Sequence, residues 1–142
     1  MNSNSERLHT AISSLIRTFK IVQVEDDTGK PLSPAEAEAL FFIAQAEGVI
    51  ARDVADWLGV VPTTVTGILD RLEQAGLVAR TRSDHDRRVM KLDLTDQGRA
   101  WHDAVRRRQL DNCMAMLEGL DPVEQAHFVA LMEKVANETP PR

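Results

Sequence analysis

The chain has one cysteine, Cys113, among 142 residues. No intramolecular disulfide can form, so a reducing compartment, the cytoplasm, is expected. Aromatic residues make up only 4%, which leaves the core to Leu, Val, Ile, Ala and Met. No apolar run approaches the roughly 20 residues that cross a bilayer. The opening MNSNSERLHT has neither a basic n-region nor an apolar h-region, so neither a secretory signal nor a membrane partner is expected. His9, His85, His102 and His127 are widely spaced, and with a single cysteine they make no metal-ligand pattern. There is no nucleophile–base motif and no glycine-rich phosphate loop. Neither an enzyme nor a bound cofactor or metal is therefore expected. Cys113 lies beside Met114 and Met116 and reads as a small buried hydrophobe rather than a redox sensor. Internal repeats, low-complexity tracts and interdomain linkers are also missing, and the length suits one domain.

What is present is ordinary globular composition, 43% hydrophobic and 27% charged, with a formal net charge of −5. The charge is unevenly spread. From Pro62 to Thr95 there are six basic residues against five acidic, a balance of +1, so the rest of the chain carries −6. Any polyanion would meet that segment more readily than its surroundings, with a modest electrostatic attraction per subunit.

Helical periodicity and caps divide the chain. Leu8, Ala11, Ile12, Leu15, Ile16, Phe19 and Val22 recur at three and four, predicting an amphipathic helix from about Ser5 to Val24. Glu25–Pro31 is a charged loop rich in breakers. Ser33-Pro34-Ala35-Glu36 is a capping box with proline at N1, opening a helix that runs toward Gly48. A short helix is expected from Arg52 to Leu58, closed by Gly59. Pro62 then opens a helix with Val65, Ile68, Leu69 and Leu72 on its apolar side, ended by Gly76. Two strand-like runs follow, Leu77–Arg82 and Val89–Leu94, around the polar loop Ser83–Arg88. Thr95 caps a long helix to about Glu118. Asp121-Pro122-Val123-Glu124 opens the last helix, and the tail from Asn137 is expected to fray.

Two helices joined by a tight turn, then a hairpin with an arginine-bearing tip, make a winged helix-turn-helix. The expected fold is mainly α (α+β). The winged core spans about 32–95. Helices over about 5–25 and 96–137 keep wide apolar faces with no sheet to cover, which a second copy buries in a twofold dimer. Thr63, Thr64 and Thr66 have low helix propensity early in their helix. Their hydroxyls and methyls suit phosphates and thymine methyls. An arginine at a wing tip, Arg88 above all and Arg87 beside it, is drawn to a narrow minor groove. Arg82 serves either as a phosphate contact or as strand-edge charge. Arg71 either reaches a phosphate or pairs with Asp70 or Glu73 to stiffen the helix.

The run VPTTVTGILDRLEQAGLV (Val61–Val78) and the run DRRVMKLDLTDQG (Asp86–Gly98) make the chain resemble the MarR family (multiple antibiotic resistance regulators). The wing pattern of that family falls here on Asp86, Arg88, Leu94, Thr95 and Gly98. The resemblance implies a homodimer on a pseudo-palindromic DNA operator, commonly a repressor released by a small-molecule effector. It implies that Asp86 orients Arg88 for the minor groove, and that Thr63, Thr64, Thr66 and Gly67 belong to the recognition helix. Val61 departs from the usual Ser or Thr cap, a loss worth about 1 kcal/mol locally. Gly67 stands where arginine is common. The family's effector cleft maps by position to Phe19, Phe42 and His102. The alternative function is a winged helix kept for protein contacts without DNA, which the net acidity permits.

Overall fold

Every helix start in the chain's second and last helices is set by the same short device. Ser33 Oγ accepts the Glu36 N–H at 3.1 Å, and the Glu36 carboxylate accepts the Ser33 N–H at 3.0 Å, with Pro34 at N1. Asp121 and Glu124 repeat the exchange around Pro122. In the computed structural model, residues 3–21, 24–26 and 28–139 are described. The order is α1 (Ser3–Phe19), α2 (Pro34–Gln45), α3 (Ala51–Leu58), α4 (Pro62–Gln74), β1 (Val78–Arg82), β2 (Met90–Leu94), α5 (Asp96–Leu117) and α6 (Pro122–Glu138). The chain forms two units, residues 1–106 and 107–142.

In the first unit, α2, α3 and α4 close on a core in which Leu40, Val54, Val65, Leu69, Leu72, Leu77 and Leu92 are fully buried. Burying such a side chain is worth about 1.5–3 kcal/mol. The strands pair antiparallel, Val78 opposite Leu94 and Arg82 opposite Met90. The Leu92 N–H donates to Val49 O at 2.7 Å, which ties the hairpin to the segment before α3. Gly59 closes α3 in the left-handed conformation at φ 66°. In the second unit, Gln125 Nε2 donates to Leu117 O and Leu120 O, both at 3.0 Å, closing the turn into α6.

Several boundaries differ from the sequence expectation for physical reasons. The first helix stops at Phe19, where Lys20 adopts φ 49°, rather than continuing to Val24; Val22 lies outside the described residues. The second helix ends at Gln45, before Gly48. Leu77 is not in the first strand, because its N–H closes the end of α4 on Leu72 O at 3.1 Å. Val89 is not in the second, because its N–H bonds Asp86 O at 3.0 Å within the loop. The last helix keeps Asn137 and Glu138, and Thr139 N–H still reaches Val135 O. Cys113 is exposed, not a buried hydrophobe. Among the described residues, no helix is long and apolar enough to cross a membrane.

Candidate nucleic-acid interface

The face of α4 that the core leaves free carries small polar groups. Val65, Ile68, Leu69 and Leu72 point inward, and Thr63, Thr64, Thr66 and Gly67 are exposed. Pro62 starts the helix, but Val61 makes no side-chain cap. The Thr66 hydroxyl donates back to Pro62 O at 3.1 Å, which leaves its methyl and lone pairs outward. A Cβ on Gly67 would meet nothing within 4 Å. The glycine is therefore not required by packing. It leaves this stretch of helix bare for close approach by another molecule. We expect Gly67→Ala to stabilise the protein by about 0.5–1 kcal/mol, since glycine inside an exposed helix loses more backbone entropy on folding. A urea midpoint that rises at unchanged slope would show it; an unchanged or lower midpoint would mean the helix is constrained here in another way.

The wing is braced from within. Arg82 Nη1 donates to Arg87 O at 2.7 Å, across the base of the loop. Ser83 N–H bonds Val89 O at 2.9 Å, and Ser83 Oγ accepts the His85 N–H at 3.3 Å. Asp86 Oδ1 accepts the Arg88 N–H at 3.0 Å and stands 3.7 Å from Arg88 Nε. The Arg88 side chain is 95% exposed, with the Asp86 carboxylate beside it. Arg87 is exposed beside it. Arg80 joins β1 to α4 through Asp70 at 2.8 Å and Glu73 at 3.4 Å. That pairing offsets two acidic charges close to the exposed helix face. It is Arg80, and not Arg71, that takes these two carboxylates.

Arg71 faces the other way. Its Nη2 lies 3.5 Å from Asp26 Oδ2 and 3.5 Å from Pro31 O, and its Nε lies 3.9 Å from Glu36 Oε1. Sequence reasoning missed Asp26. It is one acid in a run that reads as solvated loop, yet it is 7% exposed. The Thr28 hydroxyl, donating at 2.6 Å, is the main cause that holds its carboxyl below the usual range. Burial opposes this, and the Lys30 and Thr28 N–H groups and the Arg71 charge add to it. The signal that finds it is Asp-x-Thr-Gly, an aspartate that folds its own following turn.

Two of the three residues mapped to an effector cleft, Phe42 and His102, line different clefts. Phe42 stacks on Trp57 with centroids 5.0 Å apart and lines a cleft of about 500 Å³ with Val49 and Asp53. His102 meets the edge of Phe41 at 5.4 Å and lines a different cleft of about 680 Å³ with Lys91 and Arg99. Phe19 is half-buried in the last turn of α1. Among the described residues no cluster of three or more His, Cys, Asp or Glu is arranged for a metal ion.

A family model described as the MarR family matches residues 30–89, from the loop before α2 through the wing. The HTH-type transcriptional repressor MdtR of Bacillus subtilis (strain 168) is 26% identical over 132 residues, covering 91% of this chain and 85% of that protein. The crystal structure of Streptococcus pneumoniae FabT in complex with DNA superposes with a TM-score of 0.76 at 27% identity, over 94% of this chain and 95% of that one. The Bacillus subtilis YusO structure gives a TM-score of 0.75 at 24% identity, over 98% of this chain and all of the other. That last likeness concerns the fold alone.

Proposed function

We propose, from its similarity to the MarR family of winged-helix regulators, that the chain binds a double-stranded DNA operator as a homodimer and represses transcription. Each copy lays α4 in a major groove through Thr63, Thr64, Thr66 and Gly67. Arg88 enters the flanking minor groove, oriented by Asp86, with Arg82 and Arg87 shaping the wing around it. The observation that carries this reading is the pairing of a bare, small-polar helix face with a fully exposed arginine that has its own aspartate. FabT, similar over nearly its whole length, is seen in complex with DNA, and MdtR is named a repressor.

The need for two copies follows from charge and from surface. A balance of +1 across the DNA-facing segment supplies little electrostatic affinity by itself, and a second copy doubles the contacts. In α1, Leu8, Ile12 and Ile16 are exposed; in α6, Leu131, Met132 and Val135 are exposed. An isologous interface covers such faces. A small-molecule effector regulates such a dimer only if it binds one spacing of the two winged lobes better than the other.

Selection of bound duplexes from a random-sequence pool tests the reading. The expected result is an inverted repeat with half-site centres about one turn, roughly 34 Å, apart, and affinity that falls steeply with salt. A folded dimer that enriches no sequence overturns it and favours a winged helix used for protein contacts.

A further inference from the structure

We propose that Asp26 is a positioning residue for the recognition helix: its carboxylate holds the Arg71 guanidinium on the protein, so Arg71 sets the seat of α4 and does not grip a phosphate. The proposal rests on the DNA-binding reading and assigns a role to a residue outside the interface.

The geometry is that of a clasp inside the first unit. The loop folds on itself: Asp26 N–H reaches Lys30 O at 2.7 Å and Leu32 N–H reaches Val24 O at 2.8 Å. Asp26 Oδ1 is taken up by the Thr28 N–H at 3.0 Å, the Thr28 hydroxyl at 2.6 Å and the Lys30 N–H at 2.9 Å. Its other oxygen, Oδ2, is left for Arg71. The same guanidinium reaches Pro31 O and Glu36 Oε1, the latter from the residue whose carboxylate caps α2. One arginine thus binds α4 to the loop and to the start of α2. The loop is fastened in turn to α5, because Trp101 Nε1 donates to Glu25 O at 2.6 Å, and Trp101 is 7% exposed.

Arg71 cannot serve a phosphate from this place without leaving Asp26, whose side chain is 3% exposed, as a buried charge with no counterion. Breaking a covered ion pair by removing one partner is strongly unfavourable. The sign of a charge change separates the two roles. Neutralising an acid near a polyanion raises affinity when charge alone matters. Neutralising Asp26 is expected to lower it, because α4 loses its seat.

The test measures Asp26→Asn, Arg71→Lys and Arg71→Met against the selected operator and a scrambled duplex across a range of salt, with folding checked by circular dichroism. Wild-type binding to the operator is read first, so failure of the DNA reading is seen by itself and takes this proposal with it. The expected result is a loss of about tenfold in operator affinity for all three variants, with scrambled-DNA affinity within about twofold of wild type. The salt slope stays unchanged. Asp26→Asn combined with Arg71→Met is expected to be no weaker than Arg71→Met alone, as two ends of one interaction require. The opposite result is Arg71→Lys at wild-type affinity, with Arg71→Met weakening both duplexes equally and flattening the slope by about 1; that assigns Arg71 to a phosphate. Should Asp26→Asn fail to fold, Arg71→Lys decides: lost operator preference supports the clasp, and wild-type preference overturns it.

Discussion

Gly98→Ala is expected to destabilise the protein by about 3 kcal/mol or more and to lower its thermal midpoint by about 10 °C. A Cβ at this position would stand 2.0 Å from Leu77 O and 2.9 Å from the carbonyl carbon. Both are backbone atoms, so no rotamer change relieves the clash. The first turn of α5 would have to move away from the end of α4. That movement breaks a connected set of bonds. The Thr95 N–H donates to Leu77 O at 3.1 Å, the Thr95 hydroxyl donates to Gly76 O at 2.6 Å, and the same oxygen accepts the Gly98 N–H at 2.9 Å. These bonds join the end of α4, the root of the wing and the start of α5. Urea and thermal unfolding followed by circular dichroism check the expectation. A wild-type midpoint would show that α5 shifts at no cost and that the close approach is not what requires glycine.

The same junction shows how far local chemistry carries. Thr95 is legible as a helix cap, and Ser33 and Asp121 are legible with their prolines and glutamates, because a cap is made by residues within three positions of one another. The recognition helix and hairpin are legible for a related reason: period, proline and glycine are all local. Asp26 is not. Its composition is that of a solvated loop, and its burial comes from Arg71 and from the chain folding over it. Trp101 reads as one more apolar helix position, while its indole bonds a carbonyl 76 residues away. Phe41 and Phe42 are neighbours in sequence but lie about 100° apart around a helix. One therefore meets Trp101 and His102, and the other stacks on Trp57. This is why Phe42 and His102 line different clefts although Phe41, next to Phe42 in the chain, meets His102. Cys113 illustrates the converse error. Apolar neighbours suggest burial, but Asn112, Met116 and Leu117 are the half-buried positions of that stretch of helix, and Cys113 and Met114 fall outside them.

Arg88→Ala is expected to weaken operator binding by about 1–3 kcal/mol, roughly 5- to 150-fold, while leaving stability within about 0.5 kcal/mol of wild type. The second half of the expectation makes the first one interpretable. A side chain that is 95% exposed contributes almost nothing to the folded state, so any loss of affinity belongs to the interface. Asp86 supplies an internal control. Its carboxylate bonds the Arg88 N–H and lies beside the guanidinium, so it narrows the directions that Arg88 samples before binding. Preorganisation of this kind contributes by reducing the ordering cost on association. Asp86→Ala is therefore expected to weaken binding in the same direction by a smaller factor, even though it removes a negative charge. Titration of a labelled operator at fixed salt gives both numbers. A wing that only adds positive charge would give the reverse order, with Asp86→Ala binding more tightly than wild type. If Arg88→Ala leaves affinity unchanged, the tip arginine faces solvent in the complex, and operator recognition rests on the threonine face of α4.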